Sequence, residues 1–437
     1  MDPQERLFIE EVWRLLENAG YGGTRLSEES NPVGVFVGAM YGTYGQLGAL
    51  SWHSGHWNHA QSSYWLIANR VSQYFKFRGP SMAIDTACSS SLTAIHQAME
   101  SLRRGESKVA IAGGVSLILD PRHHLRLSAL HNLSKDDKTR SFGEGGEGFV
   151  VGEGVGAVLL KPLSAAERDG DYIYGVLKGS SINTGGYMSP DPKAQSEVVQ
   201  NALIRSGVPG DTISYVEAHG TGTNLGDPIE LRGLEKAFTG LGSGPIRCAL
   251  GSVKGNIGHL ESAAGISALT KVLLQLREGE LVPSLHSTPS SSHIDWSKSR
   301  FYMQQTHSPW TRGSHPRRAG VSSFGAGGSN AHLIVEEYEE RRVRPEFTGP
   351  YLIVLSARTQ SSLSAQSLQL SSYLSTRGAS LSLASVAYTL QQGRAALSER
   401  LALIADDMTS LIEELKRYHR GETGRYYTRT HTPSSAE

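Results

Sequence analysis

Apolar and polar positions alternate along this chain in short strand-like and helix-like blocks. Leu7, Phe8, Val12, Leu15, Leu16 and Ala19 mark one face of a first helix, which Asp2 caps, Pro3 opens and Gly20 ends. Val33–Val37 alternates with glycine like a strand, Gly38–Ala60 reads as a loop rich in Gly, Tyr and Trp, and Tyr64–Tyr74 as a helix. Ser81–Ile84 is a short apolar run of the kind a buried strand carries, and beyond it Leu92, Ile95, Met99 and Leu102 recur on one helical face. Val109–Gly113, Phe149–Leu160 and Tyr172–Ile182 predict further strands, and Ser196–Ser206 a helix. Ile213–His219 predicts a strand ending on histidine, Asp227-Pro228 a helix start, Cys248–Val253 a strand and Glu261–Arg277 an alanine-rich helix. Val321–Phe324 and His332–Glu336 flank a glycine-rich turn as late strands. This alternation argues for an α/β fold of layered sheets and helices, with the motif residues at strand ends, where open sheets hold ligands.

Composition shifts near Glu336–Pro350, where Glu339-Glu-Arg-Arg-Val-Arg-Pro345 reads as a solvated linker rather than a nucleic-acid patch. Tyr351–Ser356 then predicts a strand, Ser361–Leu374 and Ala384–Gln392 helices, Leu401–Ala405 a strand and Met408–Tyr418 a helix. The domains expected are therefore residues 1–337, a linker at 338–350, a small α/β module at 351–420, and a polar tail at 421–437 expected to be disordered. No fixed-period repeat stands out.

The 437 residues carry 42 basic and 42 acidic side chains, so net charge gives no reason to expect nucleic acid or an anionic membrane as a partner. Two cysteines exclude a disulfide scaffold and fit a reducing cytoplasm. No apolar run is long enough to span a membrane, and the N-terminus has no signal-peptide pattern.

Cys88 is the first candidate for chemistry. It stands where the Ser81–Ile84 strand turns into a helix, and a helix N-terminus favours thiolate over thiol. A buried structural cysteine is the alternative. His219, in Glu217-Ala-His-Gly-Thr-Gly-Thr223, ends a strand, and His259, in Lys254-Gly-Asn-Ile-Gly-His-Leu-Glu261, precedes a helix. Each can be a structural hydrogen-bonder or the distant partner of a nucleophilic cysteine. The turn Phe324-Gly-Ala-Gly-Gly-Ser-Asn330 can aim backbone N–H groups at a reacting oxygen, or be a plain turn. Gly143-Glu-Gly-Gly-Glu-Gly148 matches G-x-G-x-x-G only weakly, since two glutamates would face a phosphate. His53, His56 and His59 have ligand-like spacing but no acidic or thiol partner between them, so no metal is expected.

Taken together and in order, Asp85-Thr-Ala-Cys-Ser-Ser-Ser-Leu92, Glu217–Thr223, Lys254–Glu261 and Gly320-Val-Ser-Ser-Phe-Gly-Ala-Gly-Gly-Ser-Asn-Ala-His332 resemble the β-ketoacyl synthase family in its modular polyketide synthase branch. The resemblance runs from Met1 to about Glu337. It implies a thiolase-type fold, two similar α/β halves stacked in five layers, working as a homodimer. It also implies decarboxylative Claisen condensation. Cys88 would take the acyl chain from a carrier-protein thioester, while His219 and His259 assist decarboxylation of a malonyl-type extender. The N–H groups of Cys88 and Ala326 would form the oxyanion hole. Lys254 would hold and polarise the histidines, and Asp227 and Glu230 would brace the loop of His219. Thr221, Thr223, Phe324 and Asn330 would meet substrate or its pantetheine arm. No cofactor is bound intrinsically; substrates arrive on the 4′-phosphopantetheine of acyl carrier protein domains.

Three departures from the family pattern shape the expectation. The family has a sizeable portion, including a first core strand, ahead of the motif that opens this chain, so an N-terminally truncated domain is expected. Ala326 stands where fatty-acid relatives have a bulky Phe gate, which suggests a roomier acyl pocket, as in polyketide synthases whose acyltransferase acts in trans. The segment Asn183-Thr-Gly-Gly-Tyr-Met-Ser-Pro190 looks shorter than the usual loop. The 351–420 module resembles the linker domain flanking polyketide ketosynthases. No G-x-S-x-G elbow or carrier-protein serine motif appears, so acyltransferase and carrier are expected elsewhere in the assembly line. Elongation leads; a non-elongating transacylating domain, a branching domain and a non-enzymatic scaffold are the alternatives, the intact histidines and Cys88 arguing against the first and the last.

Overall fold

Small and β-branched residues put short strands at the centre of each half of the chain. A computed structural model describes residues 1–431 apart from 24, 28–30, 57–59, 188, 240–246 and 341–348. Two compact units divide the chain: a larger one from Met1–Val12 and Glu29–Glu339, and a smaller one from Trp13–Glu28 and Glu340–Glu437.

The first half runs α1 (Pro3–Asn18), β1 (Val33–Gly38), α2 (Thr43–His53), α3 (Trp65–Phe75), β2 (Ser81–Ile84), α4 (Ser90–Arg103), β3 (Val109–Ser116), α5 (Arg122–Ala129), β4 (Gly154–Leu160) and α6 (Leu163–Asp169). Its sheet has the order β2-β1-β3-β4, with β1 parallel to both neighbours and β4 antiparallel to β3. The second half runs β5 (Val176–Thr184), α7 (Pro192–Ser206), β6 (Tyr215–Glu217), α8 (Gly226–Phe238), β7 (Cys248–Gly251), α9 (Lys254–Ile257), α10 (Ala264–Glu278), β8 (Glu280–Leu281), β9 (Phe301–Met303), β10 (Ser308–Pro309), β11 (Arg318–Phe324) and β12 (Ser329–Glu336). Its main sheet has the order β5-β12-β11-β6-β7-β9, with β12 antiparallel to both β11 and β5.

Helices α4 and α10 lie between the two sheets. α4 touches β1 and β3 on one side and β12 on the other, while α10 touches β11 and β3. Leu92, Ile95 and Ala98 of α4 and Ile266, Leu269 and Val272 of α10 form one buried core with Val321 and Leu333. The two helices approach so closely that a Cβ on Gly265 would lie 2.9 Å from the backbone nitrogen of Leu92, which is why glycine stands there. α3 lies against β1 and β2, and α7, beside α8, lies against β5 and β12. The result is five alternating layers of helix and sheet, the thiolase-like arrangement implied by the motifs.

The smaller unit carries β13 (Tyr351–Ala357), α11 (Gln360–Arg377), α12 (Leu383–Gln392), β14 (Glu399–Ala405), α13 (Met408–Arg420) and β15 (Tyr426–Thr430). Its antiparallel sheet has the order β13-β14-β15 over a core of Ile353, Leu363, Leu401, Leu403, Leu411 and Leu415. Thr359 caps α11, and Asp407 with Ser410 forms a reciprocal capping box on α13.

Some expectations need correction. The stretch from Gly421 is not uniformly disordered: Tyr426–Thr430 satisfies its backbone by pairing with Glu399–Leu403. Residues 432–437, His59 and Arg341–Arg344 lie outside the described residues. Thr43–His53 is a helix, hidden in sequence because Leu50 and Trp52 are exposed and its apolar residues form no single stripe. Phe149–Leu160 is not one strand; regular pairing begins at Gly154, and before it Phe149 and Val151 make isolated bridges to Leu133 and His259. Asp191 caps α7 and Pro192 opens it, so that helix starts ahead of Ser196.

Candidate active site

Cys88 sits in the tight connection from β2 to α4, just ahead of the N-cap Ser89. Ala87 adopts φ +53°, a left-handed conformation that side chains rarely take. The turn is fastened from within: Ala87 N donates to Asp85 Oδ1 (3.0 Å), and Thr86 N to Ser90 Oγ (2.9 Å). Ser323 of β11 reaches across from the second sheet, its hydroxyl donating to the Cys88 carbonyl at 2.8 Å. Backbone N–H groups of Ala326 and of Cys88 itself are directed at the Cys88 sulfur.

The thiolate expected from the helix N-terminus is not the resting state. Burial pushes the Cys88 thiol up to about 12, and the Glu261 carboxylate adds to this; Lys254 and the two N–H groups oppose it without prevailing. Desolvation outweighs the helix-end field because that field is partial charge, whereas a thiolate in this partly enclosed turn gives up much of its hydration.

His219 follows β6, and His259 lies between α9 and α10. Their rings stand 5.4 Å apart, nearly perpendicular, and the Phe324 ring lies 5.7 Å from His219. Burial holds both imidazoles well below their ordinary value, with Lys254 adding to the effect, so both are uncharged near neutrality. For His259 the backbone fixes the tautomer. Glu261 N donates to His259 Nδ1 at 3.0 Å, which leaves the proton of the neutral ring on Nε2. His259 is also gripped by the 150–152 segment: its N–H donates to the Val150 carbonyl (2.8 Å), and its carbonyl accepts from Gly152 (3.0 Å). His219 Nδ1 is buried without a hydrogen-bond partner among the described residues.

Beneath the histidines lies a buried charge network. The Lys254 ammonium donates to the carbonyl of His219. Glu230 accepts from the backbone N–H groups of His219 (2.7 Å) and Gly220 (2.8 Å), and Asp227 from Phe142 (2.6 Å) and Gly222 (3.1 Å). Burial pushes Asp227 up to about 6 and Glu230 up to about 7, while burial pulls Lys254 down. Both carboxylates hold the 219–222 loop by its backbone, which crosses left-handed space at Gly220 and Gly222.

The remaining candidates are less uniform. Thr221 and Thr223 stand side by side, their hydroxyl oxygens 3.4 Å apart, and Thr223 Oγ1 also accepts the Gly226 N–H at the start of α8. Asn330 is buried and its amide donates to Asn183 Oδ1 (3.1 Å), so it holds the neighbouring strand. Sequence reasoning missed Ser323 and Glu217. Glu217 accepts from Val253 N (2.6 Å) and Tyr215 Oη (2.5 Å) and lies 2.8 Å from Lys271 Nζ, all behind Lys254. A charged residue inside the apolar strand Tyr-Val-Glu was the available signal. Of the decoys, Glu144 spends its carboxylate on Ser292 and Glu147 pairs with Lys135, so that glycine loop is structural.

With this geometry in view, residues 1–166 match the family model for the β-ketoacyl synthase N-terminal domain, 174–288 the β-ketoacyl synthase C-terminal domain, and 354–422 a RhiE-like, KS-MAT linker domain. Polyketide synthase PksM of Bacillus subtilis (strain 168) is 49% identical over 430 residues, covering 96% of this chain and 10% of that protein. This chain thus spans a small fraction of the curated relatives it matches. Among solved structures, the oxazolomycin ketosynthase domain OzmH KS7 of Streptomyces albus JA3453 superposes with a TM-score of 0.95 at 44% identity, covering 100% of this chain and 76% of that one. The ketosynthase from module 6 of the bacillaene synthase of Bacillus subtilis 168 gives a TM-score of 0.89 at 38% identity, covering 98% and 74%. The chain belongs to the β-ketoacyl synthase family, as a polyketide synthase ketosynthase domain of the acyl-transferring, condensing class.

Proposed function

We propose that this chain elongates a polyketide by decarboxylative Claisen condensation, with residues 1–337 as the condensing part and 351–420 as a flanking module. The Cys88 thiol attacks the thioester carbonyl of an acyl chain on a carrier protein. The chain passes to sulfur, and the departing pantetheine thiolate takes the proton. A malonyl-type thioester on a second carrier then loses CO2, and its enolate oxygen is held by His219 and His259. The enolate carbon attacks the Cys88 thioester, the C–S bond breaks, and the β-ketoacyl chain leaves on the second carrier while Cys88 regains a proton.

The observation that carries this reading is the pairing of two kinds of donor. Two backbone N–H groups converge at the cysteine sulfur, and two buried, uncharged imidazoles stand 5.4 Å apart, one of them held in its Nε2–H form. An oxyanion-hole donor is typically worth about 2.7–4 kcal/mol of barrier. An uncharged Nε2–H imidazole donates a hydrogen bond to the enolate oxygen yet is too weak an acid to hand over its proton and quench the carbanion. Lys254 polarises the pair through the His219 backbone, Asp227 and Glu230 hold its loop, and Thr221 and Thr223 receive the pantetheine arm. Phe324 and Asn330 shape the substrate channel beside the small Ala326. Carrier proteins, an acyltransferase acting in trans, a cytoplasmic setting and a homodimer complete the proposal. No helix among the described residues is long and apolar enough to cross a membrane.

The test is a split between half-reactions. Cys88→Ala is expected to abolish acyl loading from a short acyl N-acetylcysteamine thioester, read by intact-protein mass. His219→Ala is expected to load normally and to lose CO2 release and condensation with a malonyl carrier protein. Wild-type protein that loads but neither releases CO2 nor extends the chain would make this a transacylating domain instead.

A further inference from the structure

His123 of α5 belongs to none of the four sequence motifs, yet it is buried beside the segment that carries His259. Its Nε2 lies 2.9 Å from Glu261 Oε2, both side chains being almost fully enclosed. Both atoms are buried, and no described residue gives either one a hydrogen bond, so the 2.9 Å contact is the polar approach that each makes. Tyr41 covers the imidazole from outside, ring centroids 4.6 Å apart, and the same ring meets the Arg126 guanidinium at 5.5 Å, one helical turn along α5. Glu261 is the residue whose backbone N–H holds His259 Nδ1, and it does so with φ +46°, a conformation that a glutamate keeps only when its surroundings impose it.

We propose that His123 is a positioning residue of the condensing site: clamped by Tyr41, its imidazole anchors the Glu261 carboxylate and so maintains the left-handed backbone whose N–H keeps His259 in the Nε2–H form. This rests on the condensation reading above. It deepens that reading by tying the reactivity of one imidazole to a second, remote one.

The charged surroundings agree with a short-range anchor. Arg126 and His124 are the charged or titratable groups of α5 that bear on His123. Tyr41 and Glu261 meet it from the other elements, and Glu261 in turn bears on Cys88 and holds His259. Burial holds His123 below its ordinary value and pushes Glu261 up to about 7, so desolvation disfavours the charged form of both partners. If the anchor is lost, the Glu261 backbone relaxes and His259 Nδ1 becomes free to take a proton, so condensation should fail at a higher pH than before.

The experiment compares His123→Phe, which keeps a ring under Tyr41 but no donor, with His123→Gln, whose amide N–H still reaches the carboxylate. Cys88 acylation by an acyl N-acetylcysteamine thioester and CO2 release with a malonyl carrier protein are each followed from pH 5 to 8. His123→Phe is expected to acylate like wild type, to condense about tenfold more slowly, and to show the acid limb of condensation moved up by about half to one pH unit. His123→Gln is expected to restore most of the rate and the original limb. A merely structural residue would lower both half-reactions together and leave the limb in place. Wild-type condensation with an unchanged limb in His123→Phe overturns the assignment while leaving the condensation reading intact; wild-type protein that never condenses overturns both. Should His123→Phe fail to acylate, the decision falls to His123→Gln against His123→Asn, whose side chain is one methylene shorter. Retention by Gln with loss by Asn supports the anchor, and equal behaviour refutes it.

Discussion

In the first sheet β1 runs between β2 and β3, with β4 antiparallel beyond; in the second, β6 runs between β7 and β11, with β12 antiparallel beyond. The strand ends of these matching frames are loaded differently. β2 leads to Cys88. Its counterpart β7 leads to Lys254 and His259, β6 leads to His219, and β11 to the turn holding Ala326. In the proposed reaction, one half supplies the group that stores the acyl chain, and the other supplies the groups that act on the second substrate. The outer edges differ as well. β12 is paired on both sides and its Leu333, Ile334 and Val335 are fully buried, whereas every residue of β4 is half-buried and no strand pairs with its outer edge among the described residues. Beside that edge, Val155 and Gly156 share a largely apolar recess of about 500 Å³ with Leu260, Ile266, Leu274 and Val282. Equal topology therefore coexists with unequal protection.

The largest effect is expected where the second half concentrates its charge. Lys254→Met removes the buried ammonium that opposes the rise of both Asp227 and Glu230. Stranding buried carboxylates in this way costs about 3–5 kcal/mol, measurable as a lower denaturation midpoint at pH 8, and condensation should fall with it. A midpoint within experimental error of wild type would mean the second half does not depend on this network. Next comes the contrast of edges. Leu333→Ala in β12 should cost about 2–5 kcal/mol, and Val158→Ala in β4 about 1 kcal/mol or less, because a half-exposed site leaves little cavity. Hydrogen exchange should rank the same way, with the 154–160 amides exchanging faster than those of 329–336. Equal protection would show that β4 is covered in solution.

Much of this was legible from periodicity and from motifs. The strands around Cys88, His219 and the glycine turn were evident because a short apolar run ending on a reactive residue is a local pattern. The charge state of Cys88 was not, since the helix end is local but the burial and the Glu261 carboxylate that override it come from 173 positions along the chain. The tautomer of His259 depends on one backbone torsion, at Glu261, which no composition rule encodes. The helix Thr43–His53 escaped because it buries little, and the strand Tyr426–Thr430 because its polar residues gain order only by pairing with β14. The internal match of the two sheets lies in strand order, which residue identity along a single chain does not display.

Smaller effects should sharpen the division of labour. A Cβ on Gly325 would lie 2.4 Å from the Thr86 carbonyl, so Gly325→Ala pushes the turn carrying the Ala326 N–H away from Cys88. Acyl loading should slow by about ten- to a hundredfold through the misplaced donor. Decarboxylation is expected to suffer less, because His219 and His259 are held by other elements. Equal losses in the two half-reactions would blur the proposed separation.

The smallest effect tests how the histidine loop is held. Burial raises Glu230 from 4.5 to about 7, so between those values the folded state keeps a proton that the unfolded state has released. Stability from this group is complete below about pH 4.5 and is lost as pH rises toward 7; Asp227, raised from 3.8 to about 6, acts in the same direction over a lower window. Glu230→Gln cannot ionise, but its amide nitrogen must face one of the two N–H groups that the carboxylate accepts, at a cost of about 1 kcal/mol. Denaturation midpoints at pH 5, 6, 7 and 8 should therefore show the variant below wild type at pH 5 and flatter between pH 6 and 7. An unchanged slope would mean that Glu230 ionises as an ordinary surface carboxylate does. The loop of His219 would then owe its geometry to Asp227 and Lys254 alone, and the second half would be fastened by two groups instead of three.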